Sequence, residues 1–379
     1  MSQPQQTQAQ TRTKVQTRIK VQTRTKVQTR TKVQTRILII ADLDRMRKFN
    51  KLSNNRVRFL EYLVAHRPEI KLISKSDLPT APISNRKPHL HQVIAHLKLR
   101  HVPNIVVHYL MGPGAGPIDE QILISSLNTT PLLTCLWIED SGHLDTIAHI
   151  LPHFKSILFS VKQAQLAKQY LKRFPHLIMT SLDHYIDDQV FNLGHLPISN
   201  NQQNHHTNNK QYDIVFYGYV DHQYPFRARL LQLLQANHHR FKLKYIPHPG
   251  YHQLTEVKHP IVAGHDLAKV LNQSLICICT RSKSDLLLKK YLEALFCGCI
   301  PCGDIPTDYR SVLQPHMIEL TPQMSDQVIL TKLQQVIQNT KYNQIVDKQF
   351  QEQYNYSAGT KAFIEQCQLL WKLHYSHQQ

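Results

Sequence analysis

The sequence lacks a long apolar segment. No apolar run in its 379 residues approaches the ~20 residues that a membrane-spanning helix needs. The N-terminus is polar and rich in glutamine, without the hydrophobic segment of a secretory signal. We therefore expect no transmembrane segment and a cytoplasmic location.

Cysteines are few, and their number is odd. Two of the 7 cysteines, Cys135 and Cys367, stand far from the others. An odd count in a large chain argues against a disulfide framework and fits a reducing compartment. The remaining five lack the spacing of a zinc knuckle, and they are Cys277, Cys279, Cys297, Cys299 and Cys302. We interpret them as small core residues and predict no metal site.

Acidic residues are also scarce, with 26 Asp and Glu against 45 Lys and Arg, for a formal net charge of +19. Residues 11–34 are four near-identical copies of the hexapeptide Thr-Arg-Thr-Lys-Val-Gln, and no acid occurs before residue 42. Without turn residues or enough apolar groups to bury, residues 1–34 are predicted to form a disordered basic arm. Two interpretations of residues 11–36 stay open: contact with an anionic surface or polymer, or a solvated repeat expansion.

Beyond the arm, short apolar runs alternate with helical periodicity, a pattern that predicts βαβ units and parallel sheets. The predicted strands of the first half are 35–42, 70–73, 104–110, 132–138, 156–160 and 177–180, with helices at 49–67 and 90–99. The predicted strands of the second half are 213–217, 241–246, 275–279 and 299–302, with helices at 227–235, 266–272 and 285–297.

The predicted fold is therefore α/β, with two Rossmann-like domains facing a cleft. The first domain spans 35–194 and the second 212–350, joined by a polar, low-complexity linker at 195–211. An amphipathic C-terminal helix within 351–379 is expected to return to the first domain. Ligands of such sheets bind beyond the carboxyl ends of the strands, so the cleft is the expected site.

The segment 282–304 is the strongest candidate for binding chemistry. Ser284 suits an N-cap and Gly298 a helix stop, which predicts one helix over 285–297. On it Lys289, Lys290 and Glu293 share one side, where two ammonium groups suit a diphosphate and the carboxylate suits a vicinal diol. The alternative is a Lys289–Glu293 salt bridge on a solvated face.

Residues 293–301 resemble the Glu-Ala…Gly…Pro signature in the C-terminal domain of GT-B glycosyltransferases. More narrowly, the second half is similar to the CgeB-like (spore-protein type) glycosyltransferase family. That similarity rests on a strand and Gly turn at 214–219, an Arg-bearing helix start at 224–227 and the segment 264–275. It covers 212–340 well, whereas the first half is similar mainly in architecture, with familiar pieces at 137–140 and 184–191.

The resemblance implies specific roles in binding a nucleotide-diphosphate sugar. Glu293 would bind the ribose, Gly218 would let the backbone approach the diphosphate, and Arg227 (or Arg229) would neutralise phosphate, assisted by Lys289 or Lys290. Gly298 belongs to the same signature. Tyr251 is predicted to stack on the nucleotide base, or to lie in a plain turn. The sequence departs from the family at Leu286, where many retaining enzymes have a second acid.

A transferase that inverts configuration also needs a base for the acceptor hydroxyl. Asp140 and His143 follow a predicted strand of the first domain and are the first candidates. Asp42 and Asp44 come second, and His108 third. The Gly-rich segment 111–117 lacks the spacing of a phosphate loop, so we interpret it as a rim loop.

These features predict a metal-independent glycosyltransferase that needs no cofactor. Its donor would be a nucleotide sugar, and its acceptor a glycan, protein or lipid. The alternative is a non-catalytic, degenerate GT-B scaffold that binds nucleic acid or another polyanion through its basic arm. After the basic arm, the sequence lacks a dense Lys/Arg stripe with interleaved aromatic residues, which argues against a dedicated nucleic-acid-binding protein.

Overall fold

The computed structural model describes residues 35–41, 43, 50–74, 103–110, 133–138, 148–195, 210–248, 262–339 and 348–376. The basic arm, the helix expected at 90–99, the rim loop at 111–117 and most of the linker lie outside these residues. Thr35–Gln379 forms one compact unit. Among the described segments, no helix combines the length and apolarity needed to cross a bilayer.

A six-stranded parallel sheet forms the first lobe, in the order β2-β1-β3-β4-β5-β6. Its strands are β1 (Ile37–Ala41), β2 (Ile70–Ser74), β3 (Ile105–Leu110), β4 (Leu133–Ile138), β5 (Ser156–Phe159) and β6 (Ile178–Ser181). Every residue of β1 and β4 is buried. Both faces of a parallel sheet are covered, so its central strands have apolar residues at successive positions.

A five-stranded parallel sheet forms the second lobe, in the order β11-β10-β9-β7-β8. Its strands are β7 (Tyr212–Gly218), β8 (Leu243–Pro247), β9 (Ser274–Ile278), β10 (Ile300–Gly303) and β11 (Ile318–Glu319). Together the two sheets confirm the predicted α/β fold with two Rossmann-like halves.

Helices cover the sheets and connect their strands. They are α1 (Asn50–His66), α2 (Ala164–Arg173), α3 (Pro225–Ala236), α4 (His265–Asn272), α5 (Lys289–Phe296), α6 (Arg310–Leu313), α7 (Asp326–Gln338), α8 (Lys348–Tyr354) and α9 (Tyr356–Ser376). Short 3-10 turns lie at Leu151–His153, Leu193–His195, Thr307–Tyr309 and Gln314–His316.

The last helix, α9, packs on the sheet of the first lobe. Phe363 stacks on Trp137 with ring centroids 5.2 Å apart, and Cys367 and Leu370 are buried in the same cluster. Gly359 lets the start of α9 approach closely, since a Cβ there would lie 2.4 Å from the Tyr185 ring. The C-terminal segment, which follows the second sheet in sequence, therefore contributes to the core of the first lobe.

The helix predicted over 285–297 is shorter than expected, and this prediction was wrong at its start. Asp285 has φ 58°, a left-handed conformation that interrupts a helix, and its carboxylate pairs with Arg281 at 2.8 Å. The Ser282 hydroxyl, not that of Ser284, accepts backbone N–H bonds, from Ser284 and Leu286. The helix α5 therefore begins at Lys289, and it ends at the predicted stop, where Gly298 has φ 68°.

Hydrogen bonds join the two lobes. The Tyr309 hydroxyl of the second lobe donates to Asp183 Oδ1 at 2.5 Å and accepts from the Lys162 backbone N–H at 2.9 Å. Next to it, the Ala164 N–H donates to Asp308 Oδ2 at 3.1 Å. We call this group, formed by Tyr309, Asp308, Asp183, Lys162 and Ala164, the interlobe clasp.

Candidate functional site

The second sheet has a topological switch point between β7 and β9. From β7 the chain adds β8 on one side, and it later adds β9 on the other. The connections therefore leave in opposite directions, and open α/β sheets bind their ligands beyond the carboxyl ends of the strands at such a point, here β7 and β9. Gly218 ends β7, and Thr280 follows β9 by two residues.

Arg227 spans this switch point. It lies in the first turn of α3 and is 4% exposed. Its Nε donates to Thr280 Oγ1 at 2.6 Å, and one terminal nitrogen donates to the Tyr219 carbonyl at 2.7 Å. The other terminal nitrogen reaches the carbonyls of Thr280 and Arg281 at 3.3 and 3.2 Å. A guanidinium, which stays charged when buried, is thus held rigidly at the end of both strands.

Lys290 brings a second buried cation to the same place. Its Nζ donates to the Tyr217 carbonyl at 3.0 Å. Burial, together with the nearby Arg227, lowers the pKa of Lys290 from 10.5 to about 8. An anion bound beside both cations would reverse this effect, because it would stabilise the charged ammonium.

Gly218 separates the two cations. It has φ 112°, and a Cβ placed on it would lie 3.4 Å from Lys290 Nζ and 3.9 Å from an Arg227 terminal nitrogen. Any other residue would be strained there and would direct its side chain between the cations. We call Gly218, Arg227 and Lys290 the cradle, because the Gly218 backbone, which has no side chain, lies between two cationic side chains.

Glu293 is joined to the strand end that forms the cradle through Tyr217, the residue before Gly218. Its side chain is 8% exposed, and its Oε2 accepts a 2.9 Å hydrogen bond from the Tyr217 hydroxyl. Burial and the neighbouring Glu293 carboxylate raise the pKa of Tyr217 well above 10, so Tyr217 acts as a donor. Glu293 is therefore not on a solvated face, as the salt-bridge alternative required.

Aromatic side chains border the cradle. Arg227 lies over the Tyr224 ring at 4.1 Å, and Tyr219 makes an edge contact with His248 at 5.4 Å. Burial, with the cations Arg227 and Lys290, lowers the pKa of His248 to about 4. His248 is thus neutral at pH 7, and its ring offers an apolar face beside the cationic groups.

Three of the candidate binding residues lie away from the cradle. Arg229 pairs with Asp326 at 2.6 Å and donates to the carbonyls of Pro322 and Met324, so it joins α3 to α7. Gly298 lies beyond the other end of α5, where a Cβ would meet Leu193 at 2.7 Å. Lys289, adjacent to Lys290, lines a different pocket.

That pocket, which we call the edge pocket, opens at the carboxyl edge of the first sheet. Its aromatic lining is Phe59, Tyr109, Trp137 and Tyr185. Its polar lining is Ser160, Asp183, His184 and Lys289. Tyr109 belongs to β3, Trp137 belongs to β4, and Ser160 directly follows β5. Lys289, in contrast, comes from the second lobe. The edge pocket is thus built by both lobes.

His108, the third candidate base, is in the wrong place for that role. It is 4% exposed, with its ring edge-on to Phe154, and burial lowers its pKa to about 4. Its Nε2 has no hydrogen-bond partner within the described part of the chain. A histidine inside the first lobe's core cannot reach an acceptor hydroxyl. Asp140, His143, Asp42, Asp44 and Tyr251 lie outside the described residues.

The cysteines are core residues, as predicted. All seven are buried and free. Cys299 Sγ lies 2.9 Å from the Leu271 carbonyl, as a weak donor. In the segments that the structure describes, no group of three or more His, Cys, Asp or Glu side chains forms a metal-binding cluster.

Several site residues were missed by the sequence reasoning. Tyr217 and Thr280 hold Glu293 and Arg227, and His248 borders the cradle. Tyr217 directly precedes Gly218 at the end of a predicted strand, so the alternation of strand side chains was the available signal. No comparable signal identified Thr280, because its hydrogen bond with Arg227 depends on which strand lies beside β7.

No protein-family model and no curated protein matches the sequence. Among solved structures, a glycosyltransferase from Rickettsia africae ESF-5 is similar, with a TM-score of 0.51 at 9% identity over 89% of this chain and 99% of that one. WaaG, a glycosyltransferase involved in lipopolysaccharide biosynthesis, gives 0.44 at 11% identity over 86% and 98%. The glycotransferase of kitacinnamycin gives 0.41 at 10% identity over 88% and 98%. The six- and five-stranded parallel sheets and the likeness to the Rickettsia enzyme show that the chain has the GT-B fold.

Proposed function

We propose that the protein is a glycosyltransferase that moves a sugar from a nucleotide-diphosphate sugar to an acceptor hydroxyl. The observation that carries this proposal is the cradle of Gly218, Arg227 and Lys290 at the switch point of the second sheet. Two buried cations beside a side-chain-free backbone position fit a diphosphate, which has two charged groups and needs close approach.

The cradle would stabilise the leaving group. As the acceptor oxygen attacks the anomeric carbon, the bond from that carbon to the diphosphate oxygen breaks and negative charge develops on the diphosphate. In the proposed binding mode this charge would appear beside Arg227 and Lys290, and fixed charges in a buried site stabilise such a charge without reorganisation. We propose that these two cations take the place of a metal ion in the reaction.

Glu293 is the proposed ribose-binding carboxylate. Its hydrogen bond from Tyr217 fixes its orientation next to the end of β7. A carboxylate is a strong acceptor for the two hydroxyls of a vicinal diol. His248 and Tyr219 are proposed to border the nucleotide base, together with Tyr251.

In an inverting reaction the acceptor hydroxyl would lose its proton to a base from the first lobe. Asp140 and His143 remain the proposed bases, because they follow β4, whose Trp137 lines the edge pocket. We also propose that the protein belongs to the CgeB-like (spore-protein type) glycosyltransferase family. Residues 11–36 are proposed to contact an anionic acceptor or surface.

Binding of nucleotides tests the donor site directly. Thermal unfolding and calorimetry with UDP, GDP, ADP and CDP should show one preferred diphosphate. Lys290→Met should weaken its binding by about tenfold or more, because a charge-assisted hydrogen bond is lost. Lys269→Met is the matched control, since Lys269 is an exposed lysine on α4.

The alternative, a polyanion-binding scaffold without activity, gives a different result. It predicts no response to any nucleoside diphosphate, and binding of nucleic acid that is lost when residues 1–34 are deleted. Turnover of the matching sugar nucleotides by the purified protein then decides whether a chain that binds the diphosphate also transfers the sugar.

A further inference from the structure

We infer that the first lobe docks on an anionic phospholipid bilayer through the surface that flanks the edge strand β6. We call it the β6 surface and define it by Lys168, Leu171 and Lys172 of α2 and Leu369 and Leu373 of α9. The inference goes beyond the proposed transfer reaction, because these residues belong neither to the cradle nor to the edge pocket.

The β6 surface exposes large apolar side chains. Leu171, Leu369 and Leu373 are 40%, 42% and 38% exposed, and among the described residues the fourth such side chain is Val328 in the second lobe. Single exposed apolar residues are normal on a protein surface, whereas a group of them marks a contact site. Three of the four lie on α2 and α9, the helices that cover opposite faces of the first sheet.

The leucines lie along β6, the last strand of the first sheet. Gln366, Leu369 and Leu373 are spaced i, i+3 and i+7, so they share one side of α9. Gln366 accepts a hydrogen bond from the Thr180 hydroxyl of β6, which places that side of α9 next to the strand. On the other face of the sheet, α2 leads directly into β6, with Leu171 near its end.

Both helices end at the amino edge of the sheet. The helix α2 begins just after the carboxyl end of β5 and returns to the start of β6. Along α9, Phe363 stacks on Trp137, and one turn later Cys367 lies near Cys135, an earlier residue of the same strand. The basic arm joins β1 at this edge too, so docking here leaves the carboxyl edge of the sheet uncovered.

The charge of the β6 surface is positive. Lys168, Leu171 and Lys172 are spaced i, i+3 and i+4 and form one exposed face of α2. Neither lysine forms an ion pair with another residue of the described segments. Residues 146–182 contain five Lys and Arg residues and no acid. The single acid of α9, Glu365, lies nearer the start of the helix than either exposed leucine.

Lysines beside exposed leucines fit an anionic bilayer better than other partners. The ammonium groups would contact lipid phosphates while the leucines enter the boundary between headgroups and acyl chains. A nucleic acid would pair with the lysines but would leave the leucines in water. A second copy of this chain would bring like charges together. A peptide is bound in a groove, whereas these leucines protrude from two helices.

Flotation of the full chain with vesicles tests the inference. The protein should bind vesicles of phosphatidylcholine and phosphatidylglycerol, should bind pure phosphatidylcholine much more weakly, and should be released by salt. Lys168→Gln/Lys172→Gln should weaken binding by about tenfold or more, because each cation near an anionic surface contributes to the attraction. Leu369→Gln/Leu373→Gln should also weaken it by about tenfold, because apolar burial is lost.

Matched controls come from the second lobe. Lys269→Gln replaces an exposed lysine, and Val328→Gln replaces an exposed apolar side chain. Both should leave vesicle binding unchanged. Since all the substituted side chains are exposed, every variant should keep the melting temperature of the wild type.

Each other outcome overturns the inference. Absence of vesicle binding does so directly. Wild-type vesicle affinity in either double variant would assign the binding to another part of the chain, such as the basic arm. Binding of single-stranded DNA or of polyglutamate that requires Lys168 and Lys172, without vesicle binding, would identify a different partner. Nucleoside diphosphate binding is measured separately, so its absence would remove the donor proposal and leave the docking surface standing.

Discussion

The Tyr217 hydroxyl donates a 2.9 Å hydrogen bond to Glu293 Oε2 and so joins the end of β7 to α5. The two residues are separated by 76 positions in the sequence, and in the second lobe Glu293 is buried and Tyr217 is partly buried. The strand that ends in Gly218 and the helix that carries the buried cation Lys290 are therefore fixed to one another by a charged hydrogen bond.

Replacing Tyr217 by Phe should destabilise the fold. The buried Glu293 carboxylate would lose a donor, which costs about 1–3 kcal/mol in the free energy of unfolding. Urea unfolding measures the change, and Tyr245→Phe, a half-buried tyrosine on neighbouring β8, is the control. If the loss of unfolding free energy in the double variant Tyr217→Phe/Glu293→Gln equalled the sum of the losses in the two single variants, the two residues would not be energetically coupled.

Nucleoside diphosphate binding should weaken as the pH rises from 7 to 9. The Lys290 pKa of about 8 means that its ammonium is mostly charged at pH 7 and mostly neutral at pH 9. The charged fraction falls about tenfold over that interval, and so should the affinity at this site. Calorimetry at several pH values measures the slope. A slope that persists in Lys290→Met would assign the pH dependence to another group.

The stability of the unliganded protein should respond to pH in the opposite direction. Lys290 has a lower pKa in the folded chain, about 8, than its ordinary 10.5, so between these values the unfolded chain binds more protons. The contribution of Lys290 to folding therefore rises with pH from about 8 to 10.5. Urea unfolding of the wild type and of Lys290→Met over this range gives the difference. An equal pH dependence in both would contradict the assignment.

Gly218→Ala should fold but bind nucleotide poorly. At φ 112°, a backbone conformation that only glycine adopts readily, an alanine costs about 1–3 kcal/mol of strain, and its methyl group would lie between Lys290 and Arg227. Gly264→Ala is the matched control, because Gly264 also has a positive φ of 56° but open space around a Cβ. Calorimetry should show a selective loss of diphosphate affinity in Gly218→Ala. Equal losses in both variants would attribute the effect to strain alone.

Tyr309→Phe should open the interlobe clasp. The Lys162 amide would lose its acceptor and Asp183 a donor, so backbone amide exchange should become faster around residues 160–164. Hydrogen-exchange mass spectrometry measures this, with the strand amides of β7 as the internal reference. Unchanged exchange at 160–164 would show that the clasp does not limit opening there.

The sequence was sufficient to predict the architecture because the strands of parallel sheets are short apolar runs. The runs at Ile37–Ala41 and Leu133–Ile138 were recognisable since both faces of each strand are buried. The helix after residue 282 was placed too early, because the left-handed Asp285 and its pairing with Arg281 are local contacts that periodicity does not encode.

The candidate site was predictable only where a residue type carried the chemistry. Gly218, Arg227 and Lys290 were identified from a resemblance, and the structure brings these three together. The spacing predicted that Lys289 and Lys290 share one side of a helix, yet Lys289 lines the edge pocket and Lys290 lies at the cradle. The packing of the two lobes decides which space each side chain enters. The limits of the two domains, the roles of Asp140 and His143 and the disorder of the arm remain predictions.

Lys289 and Lys290 are consecutive residues in the first turn of one helix, so their side chains leave its axis about 100° apart. Lys289 lines the edge pocket, whereas the Lys290 amine lies at the cradle. One short helix thus presents an amine to each of two separate spaces, and a rotation of α5 about its axis would reposition both amines together.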